Sequence, residues 1–302
     1  MKHPKRRRKP TDRFSSEAEK LRALAKEHQA EGRTMAALRV LDRLIDIGQA
    51  DASTWLTVGQ LLMLHREPAQ AIGALEQAVA IEPRNAEARH ELGRALYKLG
   101  GVALASEHLE RATELCDKID PWIALATLAP GNPLYEQADI MKIRKQLASR
   151  LANRDRKAVS SRERRPGKPR VGYVSSWFDR PNYMKPVWAL INHHDRSQFE
   201  IHLFSDTAID SGFPGYVDHV EDRLHATGGL SNDQLADRIQ SESIDLLIDL
   251  NAYSTTERLG LFTAPTAPVT AAWFNMYATS GLPGFDYLIG DQATIRPGDQ
   301  DH

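Results

Sequence analysis

The sequence predicts a two-part chain: an α-helical solenoid followed by a doubly wound parallel α/β lobe. Three observations predict it. Small and apolar residues recur at a spacing of 34 through residues 18–119. A basic, proline-bearing stretch without apolar period follows at 153–169. From Arg170 onward, short apolar runs alternate with short helical patterns. A length of 302 residues suits two domains, each able to bury its own core.

The repeat comes first. Ala37, Ala71 and Ala105 share one position, and Leu41, Leu75 and Leu109 lie four residues later. Leu44, Ala78 and Ala112 follow after three more. Upstream, Leu24, Val58 and Leu92 align, each followed by a small residue: Ala25, Gly59 or Gly93. This period is that of a helix–turn–helix unit stacked on its neighbours. Small residues let the two helices of a hairpin touch, and large ones fill the seam between hairpins. The units span about 18–51, 52–85 and 86–119, within a repeat region of 17–119. Trp55, Val58-Gly59, Ala71, Leu75, Ala78 and Pro83 of the middle unit resemble the tetratricopeptide (TPR) repeat closely. Residues 120–152 read as a capping helical segment, with Leu134–Leu151 closing the array, since stacked hairpins need a polar-faced end.

Composition bounds the rest. Apolar content of 41% with 26% charged residues is ordinary for a globular chain. A net charge of −1 argues against a polyanion binder. Lys2, Lys5, Arg6, Arg7, Arg8 and Lys9 read as part of a solvated, disordered tail over 1–16, not as a nucleic-acid or membrane contact. The single Cys116 can form no internal disulfide and reads as core packing. No stretch reaches the roughly 20 apolar residues that span a bilayer. The charged N-terminus has no apolar region behind it, so the expected location is cytoplasmic.

The lobe, 170–302, opens with Val171–Ser176, a short apolar run of the kind a buried parallel strand needs. Pro186–Asn192 is helical and Phe199–Ser205 a strand, with a weaker strand at Arg223–His225. Ser231–Ser243 is a helix whose Ser231 and Gln234 form a capping box. Ile244–Leu250 is a strand, Leu259–Thr263 is helical, and Val269–Asn275 and Asp286–Ile289 are strands. This density of alternation predicts the parallel sheet.

Open α/β sheets bind ligands beyond the carboxyl ends of their strands. Three loops therefore matter: Ser175–Lys185, Asn251–Arg258 and Asn275–Gly284. They carry Tyr183, Lys185, Tyr253, Arg258, Tyr277, Thr279 and Ser280, a mixture suited to a sugar or a phosphate. No Gly-rich phosphate loop and no metal-ligand spacing is present, and His193-His194 reads as a helix end.

Arg170-Val171-Gly172-Tyr173-Val174-Ser175-Ser176, Ile244–Asn251, Ala267-Pro268-Val269, Trp273, Thr279-Ser280-Gly281, Asp286-Tyr287 and Asp291 resemble the N-terminal catalytic lobe of the O-linked N-acetylglucosamine transferase family, which includes SPINDLY-type enzymes. The resemblance covers 168–291, and a TPR array directly ahead of the lobe is that family's arrangement. It implies a Rossmann-like lobe, the N-terminal half of a GT-B glycosyltransferase. It implies sugar transfer from a nucleotide donor, UDP-GlcNAc foremost, to Ser or Thr hydroxyls of a protein held by the TPR groove. It implies neither metal nor cofactor. The nucleotide is held mostly by a second lobe, which would lie beyond His302, so UDP-sugar binding is expected only with that lobe and the 302 residues alone should be inactive.

Four residues are backed as cleft-facing: Tyr253, Thr279, Ser280 and Gly281. No catalytic base is assigned, Asp249 reads as strand-buried, and Asp286 and Asp291 read as structural. Departures from the family pattern leave an alternative open, a non-enzymatic TPR interaction module with a decayed lobe. Asp179–Lys185 holds no histidine, Ala252 stands where the family has glycine, and Ala23, Thr57 and Glu91 replace groove asparagines.

Overall fold

The computed structural model describes residues 10–152, 167–209, 212–276, 278–291 and 295, with side chains from residue 16 onward. The basic run Lys2–Lys9, Tyr277 and most of the 153–169 linker fall outside the described residues. The chain divides into two compact units, one up to Asn132 and one from Pro133.

In the first unit the helices form consecutive pairs: α1 (Pro10–Ala30) with α2 (Thr34–Asp46), α3 (Ala52–Leu64) with α4 (Pro68–Ile81), and α5 (Ala86–Lys98) with α6 (Val102–Leu115). α7 (Ile119–Leu128) packs against α6. Helix α1 starts at Pro10, so part of the expected disordered tail is helical. Asp51 and Asn85 cap α3 and α5 by accepting the backbone N–H of Thr54 and Ala88.

The small residues of the repeat do what their spacing requires. A Cβ on Gly59 would lie 2.4 Å from Cγ of Leu75, and one on Gly93 would lie 2.7 Å from Cγ of Leu109. Only glycine permits that approach, so the hairpin distance is set by a missing methyl group. Ala37, Ala71, Ala105, Leu75 and Leu109 have no exposure at all. Cys116 is only half-buried, its thiol facing the Ala112 carbonyl.

The second unit holds helix α8 (Gln137–Leu151) and a six-stranded sheet. The strands are β1 (Arg170–Ser175), β2 (Glu200–Ser205), β3 (Arg223–Ala226), β4 (Leu246–Asp249), β5 (Val269–Ala272) and β6 (Tyr287–Leu288). All pairings are parallel, in the order β3-β2-β1-β4-β5-β6. That is the doubly wound arrangement, with its switch point between β1 and β4. α9 (Lys185–Asn192) follows β1 and buries Val187, Trp188 and Ile191 against Val171, Tyr173, Ile201, Leu203 and Ile248. α10 (Asn232–Ser241) follows β3 and has the Ser231–Gln234 capping box that its sequence predicts.

Two expectations change, and one is sharpened. Leu134–Leu151 was expected to close the array, but the helix there, α8, belongs to the second unit and packs on the 3₁₀ segment Thr256–Thr263. The helical reading of Leu259–Thr263 holds, its form being this 3₁₀ segment, which begins three residues earlier at Thr256. β5 ends at Ala272, three residues early, because Phe274 turns into the left-handed region at φ +73 and leaves the ladder.

Candidate functional site

The carboxyl ends of β1, β2, β4 and β5 meet at one edge of the sheet. Two carboxylates organise it, the partly buried Asp206 and the buried Asp249. Asp206, just past β2, accepts from Ser176 Oγ at 2.6 Å, from Thr227 Oγ1 at 2.8 Å and from Arg258 Nε at 2.9 Å. Arg258 also donates to the carbonyls of Leu230 and Thr227. Burial works to raise the Asp206 carboxyl, but the bonds from Arg258, Ser176 and Thr227 outweigh it and hold the group below the usual carboxylate range. One ion pair thus fastens the loops after β1, β2, β3 and β4.

Asp249 ends β4 with 1% exposure. Burial pushes its carboxyl up to about 7, against the backbone N–H groups of Asn251 and Ala252 that it accepts at 3.0 and 2.8 Å. Those bonds hold Ala252 in the left-handed region at φ +45. The glycine-like turn therefore survives with alanine in it, at a strain of about 1–2 kcal/mol. Asn251 accepts the Ser176 N–H on its side chain at 2.8 Å, tying the β1 and β4 loops together.

The four residues backed as cleft-facing do come together, but three of them are buried beneath α8. Tyr253 is 6% exposed and donates its hydroxyl to the Ser280 carbonyl at 2.8 Å. The Arg144 guanidinium sits 3.7 Å from the Tyr253 ring centroid and donates to the Thr279 carbonyl at 2.7 Å. Burial pushes the Tyr253 hydroxyl up to about 12 and the Arg144 guanidinium down to about 10, so Arg144 keeps its charge at neutral pH. Thr279 is buried and points its hydroxyl at Met141 Sδ, 3.3 Å away. Gly281 is at φ +64, and a Cβ there would stand 2.4 Å from Cβ of Arg144. Ser280 alone is partly exposed. Tyr253, Thr279 and Gly281 thus lie under α8, which covers them at this edge.

Arg144 was missed in the sequence, although a signal existed. Ile140, Arg144, Leu147 and Ala148 form the buried stripe of α8, so the arginine stands on a helical core face. Asp286 does bond a strand end: it accepts the Thr270 N–H at 3.0 Å. His193 caps α9, and His194 bonds the Tyr173 hydroxyl at 2.6 Å.

The loop after β1 behaves differently. Trp177, Arg180, Pro181, Asn182 and Tyr183 line an open depression of about 510 Å³. Tyr183 meets Trp177 edge-on at 6.1 Å and Phe274 at 5.3 Å.

A second cluster lies away from this edge, across β2 and β3. His202, His225 and Glu242 place their ligating atoms within 4.8 Å of one another, a grouping that linear spacing did not reveal. His202 and His225 bond each other at 3.1 Å. Burial, then the neighbouring His225, pushes His202 down to about 4. Arg238 reaches both Glu242 and His225, at 3.0 and 3.2 Å. These donors engage one another and the Arg238 guanidinium, except that His202 Nε2 is buried without a hydrogen-bond partner.

Known proteins resemble both units. A family model described as glycosyl transferase family 41 matches residues 147–299, and one described as tetratricopeptide repeat matches 62–115. Over 134 residues the chain is 25% identical to a probable UDP-N-acetylglucosamine–peptide N-acetylglucosaminyltransferase SPINDLY of Arabidopsis thaliana, covering 42% of this chain and 14% of that protein. Over 149 residues it is 28% identical to a UDP-N-acetylglucosamine–peptide N-acetylglucosaminyltransferase of Caenorhabditis elegans, covering 48% and 12%. A solved mutant of the Thermobaculum terrenum O-GlcNAc transferase superposes with a TM-score of 0.62 at 26% identity, over 96% of this chain and 56% of that one. The chain therefore matches a small part of its curated relatives and about half of that bacterial structure.

Proposed function

The chain belongs to glycosyl transferase family 41, and from that premise we propose that it serves protein glycosylation. In this reading a sugar passes from a nucleotide donor, UDP-N-acetylglucosamine, to a Ser or Thr hydroxyl of a protein acceptor. The observation that carries the reading is a coincidence of place. The family match at 147–299 falls on the all-parallel lobe whose switch point lies between β1 and β4, and repeats precede it.

The lobe's part is to build one wall of the cleft. Asp206 and Arg258 fix its loops, and the depression at Trp177–Tyr183 is its open surface. Asp249 is occupied by backbone N–H groups, so no catalytic base is assigned. The leaving diphosphate needs oriented donors and cations rather than a metal. The TPR groove presents the acceptor. The cytoplasm is the proposed workplace; no helix among the described residues is long and apolar enough to cross a membrane.

The test is transfer of labelled N-acetylglucosamine from UDP-N-acetylglucosamine to acceptor protein, read by mass spectrometry on the native full-length protein. Label on Ser or Thr supports the reading. No transfer from UDP- or GDP-sugars favours the second reading, an interaction module with a decayed lobe. The observation behind that alternative is the burial of Tyr253, Thr279 and Gly281 under α8. The 302 residues span about half of the bacterial structure they resemble, and on this reading they should by themselves bind UDP more weakly than about 10 μM.

A further inference from the structure

We propose that His202, His225 and Glu242 form a zinc site that ties the edge strand β3 to β2 and to the end of α10. The site serves the fold and stands apart from the glycosyl-transfer reading, which it neither needs nor supports.

The topology makes the cluster. Residues two apart on a strand share a face. Phe204 of β2 pairs with His225 of β3, so His202 and His225 are diagonal neighbours on one face of the sheet. Their rings lie 5.3 Å apart and nearly parallel, and Phe204 stacks on His225 at 4.5 Å, which fixes its plane. Glu242 is the C-cap of α10 and brings a carboxylate to the same place. The three side chains are 0%, 6% and 16% exposed.

The distances suit a metal. His202 Nδ1 lies 3.1 Å from His225 Nε2 and 4.0 Å from Glu242 Oε2. Zinc bonds nitrogen and oxygen at about 2.0–2.1 Å, so a tetrahedral site holds its ligand atoms about 3.3 Å apart. The two imidazoles already stand near that spacing, and the carboxylate has less than about 1 Å to close. Two nitrogens and one oxygen are a zinc donor set. His225 also lines a depression of about 610 Å³ with Gln234, Asp237 and Ser241, which gives the ion a way in and a water a place as fourth ligand.

Hydrogen bonding alone does not satisfy the cluster. Arginine only donates, so His225 Nδ1 accepts from Arg238 at 3.2 Å and the His225 proton sits on Nε2. That proton is donated to His202 Nδ1, which places the His202 proton on Nε2, buried without a partner. The relay therefore ends on an unmet donor, while its two facing nitrogens share one proton. Zinc between them moves the His225 proton to Nδ1, 3.9 Å from Glu242 Oε1, and frees both lone pairs for the ion. Arg238 and Arg223, at 3.0 and 3.6 Å from Glu242, must then withdraw. Their side chains are 51% and 56% exposed, so both can turn into solvent. The arginines are competitors that hold the carboxylate when zinc is absent.

Calorimetric titration of Zn²⁺ into the chelator-treated 302-residue chain tests the site, with Co²⁺ absorption as the readout of coordination. One equivalent bound more tightly than about 1 μM, tetrahedral Co²⁺ bands and a raised melting temperature are expected. His225→Gln should weaken binding at least about a hundredfold and Glu242→Gln about tenfold. Glu242 reaches the surface, so its variant reports binding even if His225→Gln misfolds. Arg238→Gln should tighten binding a few-fold by removing a rival cation. A merely structural arginine would not do so. His65→Gln, on an exposed histidine of the array, should change nothing. Zinc bound in one equivalent, lost in the ligand variants and tightened in Arg238→Gln supports the site. Binding weaker than about 10 μM, binding that survives Glu242→Gln unchanged, or no gain in Arg238→Gln overturns it and leaves a hydrogen-bonded relay.

Discussion

The array and the lobe are held together in opposite ways. Among the described residues, the array buries few polar side chains: Thr54, Glu91, Ser106 and Asn132. Its order comes from steric matching, glycine against leucine, at a fixed period. The lobe buries many more, and they crowd its carboxyl edge: Asp249, Asn251, Arg258, Asn275, Thr279 and, from α8, Arg144. A steric match tolerates no added atom. A polar network tolerates no lost partner, because an uncompensated buried charge is expensive. Insertions should therefore break the array, and deletions the lobe.

The largest effect is expected from Arg258→Ala. It strands the Asp206 carboxylate, whose side chain is only 14% exposed, and releases four loops. The loss should be about 3–5 kcal/mol by denaturant unfolding. A loss below 1 kcal/mol would mean the network is ornamental. Next is Gly93→Ala, whose new methyl would sit 2.7 Å from Leu109 Cγ and 3.0 Å from the Ala105 carbonyl. Overpacking of that kind costs about 1–3 kcal/mol. The same substitution at Gly73, with nothing within 4 Å, is the matched control and should be neutral or stabilising. If both glycines behave alike, steric matching does not order the array.

How far each region was legible in the sequence follows from the same contrast. A steric match repeats, so Ala37, Ala71 and Ala105 announced the hairpins. The strands were legible too, because β1 and β4 need apolar runs on both faces. The network was not, since Asp206 and Arg258 are 52 residues apart and nothing periodic links them. Arg144 hid for another reason: a charged residue on a helix reads as solvated until its apolar neighbours at 140, 147 and 148 are counted with it. Tyr253 and Thr279 were rightly grouped on one edge, but loop position says nothing about what covers a loop.

Two smaller effects refine the comparison. Ala252→Gly relieves a left-handed alanine at φ +45 and should stabilise the lobe by about 1 kcal/mol, seen as a raised melting temperature. An unchanged or lowered melting temperature would show that the turn stores no strain. Asp249 gives a pH signature. Its folded carboxyl, raised to about 7 by burial, binds a proton that the unfolded chain releases near pH 4. Stability therefore declines as pH rises from about 4 to about 7. Asp249→Asn removes the titration, so the variant should gain on the parent between pH 5 and pH 8. A parent-to-variant difference that is the same at both pH values would exclude this.

The placement of Arg144 also decides where the molecule can be cut. Composition draws the boundary at the basic stretch after Ala152, and a fragment begun there would contain every strand. It would also expose the Tyr253 ring face and deprive the Thr279 carbonyl of its donor, having discarded the helix that closes them. The compact unit begins at Pro133. A lobe exchanged between relatives should travel with that helix, and the shuffling boundary lies before it rather than in the linker that looks like a hinge.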